Sequence, residues 1–229
     1  MNRFYKILGA VAAIGLGAIA FVSISQQAAA GVSRPVDIGG IEGRALTDAA
    51  EGMRSGSPDA PITIMEFGDF QCPSCAEFAA LYKPAIMREL VDTGRASFVF
   101  HDYPLVNIHG NAFVASRAAR CAGDQSLYWQ YHDQLFGAQS AWGTMANPAP
   151  VFMELAAAVG ADTGAFGTCM SGDGHAVVVS ANLAFAEALQ INQTPSILVR
   201  LGSGVPVRVP AYDSESVIAA VELLEGGGE

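Results

Sequence analysis

Cys72 and Cys75, separated only by Pro73 and Ser74, are the residues in this chain best spaced to do chemistry together. A bond between them would close too short a loop to constrain much chain entropy, so it would be a poor structural staple. Two other uses remain, holding a metal or exchanging electrons as a dithiol. A closed zinc site takes four ligands, yet the sequence has no second C-x-x-C and no H-x3-H, and His101, His109, His132 and His175 are scattered. A copper site built on two thiolates would gain from nearby thioethers, but Met53, Met65, Met87, Met145, Met153 and Met170 form no Met-rich run. Redox chemistry without a cofactor or metal is the favoured reading, and non-catalytic copper binding is the alternative from a different class.

A thiol becomes reactive only if its surroundings favour the thiolate. Phe78, Leu81, Tyr82, Ile86 and Leu90 share one helical face, which places Cys72 at the start of a helix with Pro73 at its first position. There the unsatisfied backbone N–H groups and the positive end of the dipole lower a thiol pKa, to roughly 3.5–7.5 in C-x-x-C sites against about 8.5 for a free cysteine. Cys72 is thus the expected nucleophile. Cys75, one turn further in, is the expected resolving thiol.

The elements that hold this helix follow from the pattern on either side of it. Residues 62–67 read as a buried strand ending in the turn Gly68-Asp69. Pro84 should kink the helix, Gly94 should stop it, and residues 96–103 form a second strand that Pro104 ends. Helical patterns cover 112–121, 125–136, 151–159, a short piece at 166–170, and 175–189, where the β-branched run 177–179 sits among helix formers. Residues 196–201 and 205–209 look like a hairpin around Gly202-Ser203-Gly204, and 214–224 closes the chain as a helix. The expected fold class is α/β, with one domain over residues 61–226. Residues 31–60, polar and rich in glycine, are expected to be a flexible tether with a short helix at 46–53.

The first 30 residues have the parts of a secretory signal: Arg3 and Lys6, an apolar run, then Ala28-Ala29-Ala30. The run, about 18 residues long, exceeds the usual signal core and approaches the ~20 needed to span a bilayer. Cleavage after Ala30 is favoured over retention as an anchor, and either outcome exports the remainder to the periplasm or cell envelope. The chain has 12 basic and 22 acidic residues, and two of the basic ones lie in this leader. So acidic a remainder excludes nucleic acid as an expected partner.

Several segments together carry a family resemblance. Ile64-Met65-Glu66-Phe67-Gly68-Asp69-Phe70-Gln71-Cys72-Pro73-Ser74-Cys75 resembles the active-site segment of DsbA-like thioredoxin-fold oxidoreductases. Phe100-His101-Asp102-Tyr103-Pro104-Leu105 resembles the end of their next strand. Ala118-Ala119-Arg120-Cys121-Ala122 and residues 128–136 resemble their helical insertion, and Thr194-Pro195 resembles their active-site threonine and cis-proline. The resemblance spans residues 57–224. It implies a thioredoxin fold with a helical domain inserted at about 110–190, a cis bond at Pro195 facing the dithiol, and a Thr194 backbone free to pair with an extended substrate. It also implies that Glu66 is a buried acid beneath the dithiol, with a raised pKa, that exchanges protons with Cys75.

The function so implied is donation of the Cys72–Cys75 disulfide to exported proteins with cysteines, by a monomer reoxidised by a membrane partner of the DsbB type. A reductase or isomerase is the alternative direction. Ser74 stands where the best-known relatives have His, which implies a less extreme oxidant, and Thr194 stands where they have Val. Cys121 and Cys169 are left over; parity in an oxidising compartment, with a similar pair in some relatives, implies a structural disulfide. Two buried free thiols are the alternative.

Overall fold

Residues Ile62–Gly68 are buried along their whole length, as a mostly apolar run becomes when both faces of its strand are covered. The computed structural model describes residues 32–227, so the expected leader, with its cleavage or anchoring, lies outside the described residues. Among the described residues no helix is long and apolar enough to cross a membrane.

In chain order the elements are α1 (Gly43–Ala49), β1 (Met53–Ser55), β2 (Ile62–Gly68), the long helix α2 (residues 73–91) and β3 (Ala96–Asp102). Six helices then intervene: α3 (Ala112–Gly123), α4 (Tyr128–Gly137), α5 (Gln139–Trp142), α6 (Ala149–Ala158), α7 (Thr163–Ser171) and α8 (Ala176–Ala188). After them come β4 (Ser196–Leu201), β5 (Val207–Arg208) and α9 (Ser214–Gly226). The sheet order is β1-β3-β2-β4-β5, with β2 and β3 parallel and the other pairs antiparallel.

Strand alternation sorts β2 onto two faces. Ile62 and Ile64 join Phe98, Phe100, Ile197 and Val199 in the core that also holds Phe78, Ile86, Val217 and Val221 from α2 and α9. Met65 and Phe67 join Leu198, Ile191 and Ala186 on the α8 side. Glu66, two residues after Ile64, therefore points to the same side as α2.

Within α2, α-helical turns at Pro73–Glu77 and Lys83–Ile86 alternate with π-helical turns at Phe78–Tyr82 and Met87–Val91. Pro84 has no N–H to donate into the preceding turn, and a wider turn accommodates its ring. A π turn holds more residues than an α turn, so positions four apart stay on one face while a position three on, inside the turn, is carried off it. Phe78, Ile86 and Leu90 are fully buried as expected, but Leu81 is 64% exposed.

The segment expected as a tether is instead packed. Leu46 of α1 is buried with Ala50 and Ala181, Val32 and Val36 lie against Phe113, Ala176 and Val179, and β1 pairs with β3 from Met53↔Phe100 to Ser55↔Phe98. Its apolar residues are divided between two small clusters on the rest of the domain, and their irregular spacing gives no periodicity to mark them. Two helix starts also move: α4 begins at Tyr128 after a turn with Ser126 at φ 63°, and α8 begins at Ala176 because His175 is left-handed, at φ 62°.

Candidate active site

Cys72 is the N-cap of α2, in extended backbone, with Pro73 behind it. Its carbonyl accepts from the N–H groups of Cys75 (3.1 Å) and Ala76 (3.2 Å), and its own N–H donates to Asp69 O at 3.0 Å. The helix start thus turns unsatisfied donors toward the sulfur. The Cys72 thiol donates to Thr194 O at 3.5 Å across the site, and the Thr194–Pro195 peptide is cis. As a thiolate the same sulfur is an acceptor: its pKa falls to about 5, chiefly through the Cys75 thiol, then through the Thr194 side chain and the backbone N–H groups of Cys75 and Ser74, against the opposing cost of burial. The Thr194 hydroxyl, buried without another partner, is free for this role.

Cys75 has the opposite electrostatics. It is fully buried, and burial, the Cys72 thiolate and Glu66 push its pKa well above the usual thiol value. The Asp69 N–H donates to its sulfur at 3.4 Å. At neutral pH the pair is thus one thiolate and one thiol.

Glu66 lies beneath them, fully buried, with both carboxylate oxygens lacking a hydrogen-bond partner. Burial raises its pKa to about 8; the charge of Lys83 opposes that shift and the Cys72 thiolate reinforces it. A carboxyl neutral at pH 7 beside a thiol that must lose its proton is placed to hold and return that proton.

Sequence reasoning missed several residues that frame the site. Lys83, 7% exposed on α2, donates to Asp133 at 2.8 Å, lies 3.3 Å from His132 Nδ1 and sits over the Trp129 ring. His132 is driven down to about 4 by burial and then by Lys83, so it is neutral. Asp69, in the turn before Cys72, is wholly buried and accepts from Gln71 N (2.7 Å), Leu105 N (2.8 Å) and His109 Nδ1 (2.7 Å). The insertion also clamps the turn, since Gln139 of α5 donates to Phe70 O (2.8 Å) and Cys72 O (2.9 Å). Apart from the local bond between Gln71 N–H and Asp69, none of these contacts has a local signal, because each joins residues far apart in sequence.

Cys121 of α3 and Cys169 of α7 form a disulfide with Cα atoms 5.8 Å apart, while Cys72 and Cys75 are free. His175 lies beside the disulfide and pairs with Asp124 at 2.9 Å; both sulfurs there are already bonded.

Residues 48–200 match the family model described as thioredoxin. A protein named Na(+)/H(+) antiporter NhaA 1 from Mycolicibacterium gilvum is 32% identical over 75% of this chain. Disulfide bond formation protein D from Bacillus subtilis is 37% identical over 37% of it. The chain spans only about a quarter of the antiporter's length (26%) and 38% of the second protein's. Among solved structures, the oxidised BdbD of Bacillus subtilis superposes with a TM-score of 0.65 at 23% identity, covering 74% of this chain and 90% of that one. Wolbachia pipientis alpha-DsbA1 does so with a TM-score of 0.68 at 21% identity, covering 77% and 92%.

Proposed function

The chain belongs to the thioredoxin family, and from that premise we propose that it is an exported thiol:disulfide oxidoreductase that passes a Cys72–Cys75 disulfide to substrate proteins, mainly as an oxidant. One observation carries the reading: the two sulfurs of a single helical turn are held in opposite protonation states, Cys72 depressed to about 5 and Cys75 raised. In the oxidative direction a substrate thiolate attacks Cys72 Sγ and the Cys72–Cys75 bond breaks. Cys75 leaves as a thiolate and takes up a proton, for which Glu66 is the nearby buried donor. The mixed disulfide then resolves when the substrate's second thiolate attacks the substrate sulfur and Cys72 departs. A stable Cys72 thiolate is a good leaving group, which favours release of oxidised substrate. The reduced pair is reoxidised by a membrane partner of the DsbB type.

Support for this direction comes from thiolate stability and from the similar Bacillus subtilis protein, which is named for disulfide bond formation. The Thr194 carbonyl beside Cys72 offers an extended substrate a backbone partner. Equilibrating the chain with glutathione buffers tests the proposal. A potential above about −180 mV supports an oxidant, while one near the roughly −270 mV of thioredoxin replaces it with a reductase.

A further inference from the structure

His109 lies in the loop between β3 and α3, far from Cys72 in sequence, yet it is tied to the turn that presents Cys72. Its Nδ1 is 2.7 Å from Asp69 Oδ2, and Asp69 O accepts the Cys72 N–H. The Asp69 side chain is fully buried, while that of His109 keeps 17% of its surface in solvent. A carboxylate accepting at Nδ1 fixes the tautomer, so Nε2 is the nitrogen that takes up and releases a proton. The groups acting on this imidazole are Asp69, by hydrogen bond and charge, and Cys72, by charge; both favour the imidazolium, against burial. No positive charge lies between the cysteines, since Ser74 occupies that place.

We propose that His109, oriented by the buried Asp69, is a positioning residue whose positive charge stabilises the Cys72 thiolate from outside the C-x-x-C turn. This rests on Cys72 being the reactive thiol, as argued above. The strongest stabilisers of that thiolate are the hydrogen bonds of its own turn, and His109 adds a weaker electrostatic contribution from the insertion side. Because coupling is reciprocal, the thiolate must favour the imidazolium by the same factor as the imidazolium favours the thiolate. The device makes the oxidising power of the dithiol depend on the protonation of a residue that never touches the sulfur–sulfur bond.

The experiment titrates the reduced full chain by thiolate absorbance and compares it with His109→Gln and His109→Ala. Gln keeps a donor for Asp69 but removes the charge. Both variants should lower the Cys72 ionisation constant about threefold, the size of a partly exposed ion pair. The reduction potential should become more negative by about 14 mV, that threefold factor converted at 29.6 mV per tenfold. Reciprocally, Cys72→Ala should lower the His109 pKa, read from its imidazole proton resonances, by the same factor. If Gln leaves the thiolate unchanged while Ala shifts it, His109 only holds the loop and the proposal fails. It fails likewise if neither variant moves the titration. A wild-type chain that does not exchange disulfides with glutathione would sink the proposed function instead, and the two titrations would still report the coupling.

Discussion

The molecule holds two pairs of cysteines in contrasting settings. Cys72 and Cys75 share one helical turn, sit among backbone donors and differ in protonation. Cys121 and Cys169 are 48 residues apart, join α3 to α7, and are bonded to each other. A short loop gains almost nothing from closure, so a bond between the first pair would add little stability, as the proposed cycling requires; a long loop gains much, so the second bond staples the insertion. What distinguishes a redox centre from a staple is therefore loop length and local electrostatics, not the sulfur itself.

The sharpest way to break this contrast is to remove one sulfur of the first pair. Cys72→Ser should reduce thiol–disulfide exchange to the uncatalysed rate with little change in stability, and Cys75→Ser should accumulate a mixed disulfide on Cys72, both visible in an insulin or model-peptide assay. Exchange retained in Cys72→Ser would move the nucleophile elsewhere.

Replacing both Cys121 and Cys169 by Ala should do the reverse. In the chain-entropy model, opening a loop of this length costs roughly 4 kcal/mol, measurable as a lower urea midpoint, while exchange per folded molecule stays near wild type. A variant that keeps its stability but loses exchange would show that the second pair is not a staple.

Glu66→Gln tests the buried acid that only the first pair possesses. Its folded pKa, about 8 against an ordinary 4.5, means that the native state binds more protons than the unfolded state between those values. Stability from this group is present below the ordinary value and is lost as pH rises toward 8. The Gln variant should be more stable at pH 7, by on the order of 3 kcal/mol, with no gain below about pH 4.5, and its Cys75, lacking the nearby carboxyl donor, should be reprotonated more slowly. A variant destabilised at pH 7 would contradict the raised pKa.

The smallest effect is a slope. Cys72 has a depressed folded pKa of about 5 against an ordinary 9.0, so in the reduced protein it contributes stability that is complete above the ordinary value and lost as pH falls through 5. The oxidised protein has no such group. Thermal unfolding should show the reduced form gaining on the oxidised form progressively from pH 5 upward, and a difference that does not change with pH would contradict the depressed value.

Parts of the molecule that depend on near neighbours were legible before any fold was known. The C-x-x-C turn with its proline, the buried run at 62–67 and the helical periods between β3 and β4 all follow from spacings of two to four residues, where backbone geometry fixes which side chains share a side, while the buried position of Glu66 was implied by the family resemblance. The remaining contacts come only from packing between distant segments. Lys83 against His132 and Asp133, Asp69 against His109, Gln139 on the carbonyls of Phe70 and Cys72, and the docking of residues 32–55 each join segments with no shared period. Leu81 turned outward because it lies within a π turn, three residues after the buried Phe78. A local pattern states which face a residue occupies, but only the closing of the sheet and insertion onto one another determines what that face meets, and the protonation states of this dithiol depend on that meeting.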